Sequence, residues 1–261
     1  MSELASEPSE AAAMDTPTPL TDDRAPEPPR NHRWGFGAFL LSFGTLVFTA
    51  VMIGAIGAVA RPGAPLSVPV AVFGTVLPPL LAAGVAILAT IWRGNGPRLD
   101  LRWSFRWEDI RVGVRFGLVG LVCTTAAAYL WTKIVGEQNA TSALGKVVEN
   151  QRLPLAAAIA MFLFVWLVGP ICEEIIFRGL LWGALERLNW GRWVVFMLTT
   201  VIFAVSHLEP LRTSLLLVIG IPIGLARLVT GRLGASIVAH QINNFLPALA
   251  VLLMAFGVMP A

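Results

Sequence analysis

The chain has 261 residues, of which 56% are hydrophobic and only 13% charged, with a mean hydropathy of +0.73. Soluble globular domains carry about 25% charged residues, so this composition excludes one or two soluble domains and indicates a single polytopic membrane domain. The net charge is +3 and the pI near 9.4. The basic residues nevertheless lie in short loops between apolar stretches, as the positive-inside rule requires, and no nucleic-acid partner is implied.

In chain order, residues 1–32 come first, rich in Pro, Glu, Asp, Ser, Thr and Ala and without an aromatic residue. Such a segment cannot bury enough surface to offset its ordering entropy, and it is expected to be a disordered acidic tail. It lacks the charged start and apolar core of a signal peptide. Residues 33–261 then form the expected membrane domain, with Trp34 placed as an interfacial anchor.

A bilayer core of about 30 Å needs about 20 helical residues. Spans are predicted near 35–60, 67–92, 111–135, 154–169, 193–208, 212–230 and 233–257. As one helix, residues 154–188 would be roughly 50 Å long, so a break at Pro170 would give an eighth span. The expected fold is therefore an all-α transmembrane bundle of seven to eight spans. Arg93, Arg98, Arg102, Arg106 and Arg111 crowd one loop, which puts that side, and with it the N-terminus, in the cytoplasm. The basic–aromatic alternation over 98–107 fits a segment at the headgroup level. Cys123 and Cys172 both lie in apolar stretches and far apart, arguing against a disulfide framework or a CxxC metal site. The run Gly54-Ala55-Ile56-Gly57-Ala58 permits close helix packing.

Six polar residues interrupt the apolar pattern of the C-terminal half: Glu173, Glu174, Arg178, His207, His240 and Asn244. An ionisable group at membrane depth costs about 2.5–3.5 kcal/mol even on the lenient insertion scale, so such groups indicate a site. On a helix, Glu174 and Arg178 are i,i+4 and share a face, while Glu173 points about 100° away. Glu174 and Arg178 can then neutralise each other, leaving Glu173 to face a cavity as a general base. One salt-bridge cluster locking helices together would use the same three residues. Phe203 and His207 lie one turn apart, as do His240 and Asn244; the latter pair, with Gln241 and Asn243, either lines a polar cavity or bonds across helices. The chain has neither His-Glu-x-x-His nor Gly-x-Ser-x-Gly.

The ordered set Glu-Glu-x-x-x-Arg, Phe-x-x-x-His and His-x-x-x-Asn, spread over successive apolar segments, resembles the CAAX prenyl protease and bacteriocin-processing (CPBP, or Abi) family of intramembrane proteases. The resemblance covers about residues 154–257. It implies hydrolysis of a peptide bond in a membrane-associated peptide or protein, in a multi-pass protein of a bacterial plasma membrane. Glu173 would activate water, His207 would hold that water or a metal, Glu174 and Arg178 would support them, and His240 with Asn244 would receive the oxyanion. The family naming leans toward metalloprotease, and Glu173, His207 and His240 could form a Glu/His₂ zinc site; the same residues could work without metal. A non-catalytic scaffold or immunity-type protein, or a small transporter, would also use buried Glu and His. A transporter of the repeat type predicts interrupted spans in two halves, and none is visible in the sequence.

Overall fold

The computed structural model describes residues 31–64, 66–136, 139–148 and 153–258. The expected acidic tail lies outside the described residues except for its last two positions. Described residues form helices: α1 (Phe36–Ala60), α2 (Val68–Arg93), the short α3 (Pro97–Asp100), α4 (Trp107–Val135), the short α5 (Ala143–Val148), α6 (Leu155–Glu186), α7 (Arg192–Ser206), α8 (Thr213–Thr230) and α9 (Leu233–Ala255). No strand occurs among them, and the fold is the all-α polytopic bundle that the apolar content and span lengths predict.

Six helices are long and apolar enough to cross a membrane. The seventh, α7, has 15 residues, or about 22 Å at 1.5 Å per residue. Its path is nevertheless end to end. At one end of the bundle Arg33 N–H donates to Arg93 O (2.6 Å), Arg187 to Trp34 O (2.6 Å), Arg102 to Glu186 (2.9 Å) and Arg232 to Asp109 (2.7 Å). These bonds gather the starts of α1, α4 and α9 with the ends of α2 and α6. At the other end, Trp131 near the close of α4 donates to Leu211 O at 2.8 Å. Helix α7 begins just beyond the first group and stops just before the second, and residues 207–212 complete the crossing.

The outer faces of these helices carry large apolar side chains such as Phe48, Val59, Val122 and Ile134, all exposed. In water such a surface would drive aggregation; against lipid it is the expected exterior. Inside, helices approach through small residues. Gly113, Gly117 and Gly120 of α4 face Ala235, Ala239 and Asn243 of α9, and a Cβ at Gly113 would lie 2.7 Å from the Ala235 carbonyl oxygen. Close backbone contact is how membrane helices gain packing energy where lipid removes the hydrophobic drive.

Helix α6 does not break at Pro170. It runs continuously over 32 residues and widens into π-helix at Phe164–Val168 and again at Ile175–Leu181. Proline lacks an N–H and its ring crowds the carbonyl four residues back. The first widening lies just before Pro170 and lengthens the repeat there: Gly169 N–H bonds to Phe164 O, five residues back. The proline is thereby accommodated without a break.

Trp34 departs from its expected interfacial place. It is buried, its indole N–H donates to Asp100 at 2.7 Å, and Gly183 leaves room for its ring. The α3 segment folds inward with it, Leu101 packing against Gly179. The Asp100 carboxylate supplies a partner for the indole, so a residue typical of the headgroup level becomes part of the core.

Candidate active site

Helix α6 supplies Glu173, Glu174 and Arg178. Glu174 and Arg178 are fully buried and joined at 3.1 Å, one turn apart. Arg178 also donates to Gly220 O at 3.3 Å and lies over the Phe203 ring, 4.3 Å from its centroid. The Glu174 oxygen that meets Arg178 also meets His240 Nδ1 at 2.9 Å. Glu174 is thus engaged by two cationic or donor groups, on α6 and α9. Glu173, its neighbour in sequence, projects elsewhere. Its side chain is 27% exposed, with Oε2 3.6 Å from His240 Nε2. The division of the two carboxylates expected from helix geometry is present.

His207 terminates α7, and its Nδ1 meets Phe203 O at 2.8 Å. A carbonyl can only accept, so Nδ1 carries the proton and a neutral ring leaves Nε2 as an acceptor. The rings of His207 and His240 flank Phe203, 4.8 and 5.7 Å from it between centroids. Phe203 therefore positions both imidazoles and the Arg178 guanidinium.

Asn244 and Gln241 on α9 donate to Val165 O (3.2 Å) and Leu167 O (3.1 Å). Both carbonyls belong to the first π-helical stretch of α6, where the regular hydrogen-bond ladder is disturbed. These amides tie α9 to the irregular turn and retain a second N–H each. Asn243 faces away from them. It bonds to Gly117 O at 3.3 Å and accepts from Thr124 at 3.2 Å, which makes it a link to α4.

A cavity of about 480 Å³ reaches Glu173, His207 and Asn244, with Val165 and Gly169 beside them. Glu174, Arg178 and His240 lie behind this wall, buried. All six residues singled out in the sequence therefore converge, three on the cavity surface and three supporting it. Among the described residues, no three His, Cys, Asp or Glu side chains gather in a metal-binding arrangement. Glu173, His207 and His240 share the site without forming such a cluster.

One residue of the assembly was not foreseen. Arg227 on α8 is buried, donates from Nε to Arg178 O at 3.0 Å and lies 5.1 Å from the Trp182 ring centroid. It holds a carbonyl of the second π-helical stretch while Arg178 itself holds Gly220 of α8. Its only sequence signal was a charged residue near the end of an apolar span, which reads equally well as a snorkelling arginine.

A helical bundle with paired carboxylates and two imidazoles around an internal cavity holds the side-chain types that hydrolysis uses. Comparison with known proteins agrees. Residues 155–246 match the family described as Type II CAAX prenyl endopeptidase Rce1-like. The chain is 26% identical over 175 residues to the membrane-embedded CAAX protease MroQ of Staphylococcus aureus (strain USA300), covering 63% of this chain and 68% of that protein. No solved structure matches. Over these residues the chain is similar to membrane-embedded CAAX-type proteases.

Proposed function

We propose that the protein is an endopeptidase that cleaves a membrane-associated peptide or protein with water activated by Glu173. The observation that carries this reading is the asymmetry of the adjacent carboxylates: Glu174 is consumed by Arg178 and His240, whereas Glu173 remains outside that ion pair and lines the cavity. A scaffold would explain the buried pair but not a carboxylate held at the cavity wall.

In the proposed reaction, water in the cavity gives a proton to Glu173 while its oxygen bonds to the scissile carbonyl carbon. His207 accepts the water's other hydrogen at Nε2 and so fixes its direction of attack. Carbonyl electrons move onto oxygen. His240 in its imidazolium form donates from Nε2 to that oxyanion while Nδ1 remains on Glu174, and the spare Asn244 N–H provides a second donor. The C–N bond then breaks, and the proton held by Glu173 passes to the leaving amine. Glu174 and Arg178 keep His240 aimed. In this reading water, carboxylate and imidazole carry every step.

The test is cleavage of a lipid-tethered peptide by the purified protein in detergent, compared with Glu173→Gln, His207→Ala and His240→Ala. Loss of cleavage in Glu173→Gln, with an unchanged unfolding temperature, is the expected result. Cleavage at the unaltered rate in that variant overturns the assignment.

A further inference from the structure

The cavity at Glu173 has a definite sidedness. Its walls are the second half of α1 (Ala50, Gly54), the first half of α2 (Val70, Thr75), α5 at Ala143 and the segment that carries Glu209 and Arg212. All of these belong to the end of the bundle where Trp131 meets Leu211. Toward the opposite end, the space beyond the site is filled by Trp34, Leu101, Leu180, Leu181, Leu233 and Ile237, each at most 1% exposed. The route to Glu173 through the described residues therefore runs from one end only.

The two ends also differ in charge. Arg93, Arg98, Arg102, Arg106 and Arg111 lie at the packed end, where the short turns add Arg187, Arg192 and Arg232. Among the described residues, the open end has Arg61, Lys133, Lys146 and Arg212, and Arg212 is paired with Glu209 at 3.3 Å. Lysine and arginine in short loops are retained on the cytoplasmic side during insertion. The packed end is therefore cytoplasmic and the cavity faces outward.

Resting on the reading of Glu173 as the hydrolytic centre, we propose that the protease takes its substrate from the outer face of the membrane: a membrane-anchored peptide whose apolar segment enters between the α1–α2 hairpin and residues 207–216. The wall is largely apolar, with Glu173, His207 and Asn244 at its depth and the Arg212–Glu209 pair at its rim. That arrangement suits an apolar chain with a polar flank. A lipid-modified C-terminus offered from the cytoplasm would meet the packed end instead.

The proposal is tested with a membrane-impermeant maleimide on intact cells and on inverted vesicles, using the full chain with Ala143→Cys or Thr75→Cys in the cavity and Leu99→Cys at the arginine-rich end. Cys123→Ser protein, in which the remaining Cys172 is buried, is the background for each variant and sets the baseline. Labelling of the two cavity cysteines in intact cells, and of Leu99→Cys only in inverted vesicles, is expected. Cavity cysteines reached only in inverted vesicles, or from both sides, overturn the proposal. Labelling in detergent is run in parallel, and if Ala143→Cys is unreactive there, Ser142→Cys replaces it. The readout needs no turnover, so Glu173→Gln protein must give the same pattern, and a failure of sidedness is separate from a failure of the hydrolytic assignment.

Discussion

Glu173 and Glu174 are adjacent and chemically identical, yet they meet opposite surroundings. The difference arises because one helical residue of rotation sends Glu174 into the Arg178 and His240 pocket and leaves Glu173 at the cavity. General-base catalysis contributes about 10²–10⁴-fold, so Glu173→Gln should reduce turnover by about that factor in the peptide assay while hardly changing stability. The buried partner behaves differently. Removing one member of a buried ion pair leaves the other uncompensated and costs about 3–5 kcal/mol. Arg178→Leu should therefore lower unfolding free energy by about that amount, measured by denaturation in detergent. Glu174→Met combined with Arg178→Leu should recover much of it and remain inactive, since His240 then loses its anchor. A double variant as unstable as the single would show that the loss does not come from an uncompensated Glu174 carboxylate.

At the scale of elements, the irregular helix α6 sets the site. Its two π-helical stretches bracket the Glu-Glu pair and expose carbonyls that α9 and α8 take up through Gln241, Asn244 and Arg227. Interhelical side-chain hydrogen bonds in membranes average about 0.6 kcal/mol and reach about 1.7. Gln241→Leu should accordingly cost no more than about 1.7 kcal/mol, detected as a small fall in unfolding temperature, and leave cleavage largely intact. The α4–α9 seam is less forgiving. A methyl at Gly113 would meet the Ala235 carbonyl at 2.7 Å and Val238 at 2.6 Å, and overpacking of this kind costs about 1–3 kcal/mol. Gly113→Ala should therefore destabilise the bundle and, through α9, shift His240; circular dichroism melting and the cleavage rate should fall together. Much of this was legible in the sequence. The i,i+4 pairing placed Glu174 on Arg178, and the close-packing run Gly54–Ala58 brings Gly57 against Val70, whereas the Gly113–Gly120 seam was not read from the sequence. The widening of α6 was not, because a proline inside an apolar run signals irregularity without saying whether the helix breaks or stretches. The choice depends on donors such as Gln241, about 70 residues away in sequence.

On the scale of the whole molecule, the described helices, six of them long and apolar enough to cross a membrane, surround the cavity that Glu173, His207 and Asn244 line. The proposed chemistry uses water, Glu173 and the two imidazoles. Purified protein should therefore retain its cleavage rate after exhaustive chelation, with metal analysis showing no stoichiometric zinc. Activity lost on chelation and restored by zinc alone would require His207 to swing toward Glu173 and His240.

Apolar content, span lengths and the ordered polar motifs already specify an all-α membrane protein and single out the six residues that converge at the cavity. Those properties are local: they depend on helical period and on transfer cost per residue. That Trp34 leaves the interface for the core, that Arg227 joins the site and at which end the cavity opens are decided by tertiary structure. Each depends on contacts between segments distant in sequence, where a neighbour's carbonyl, ring or glycine determines whether a polar side chain is neutralised, buried or left free.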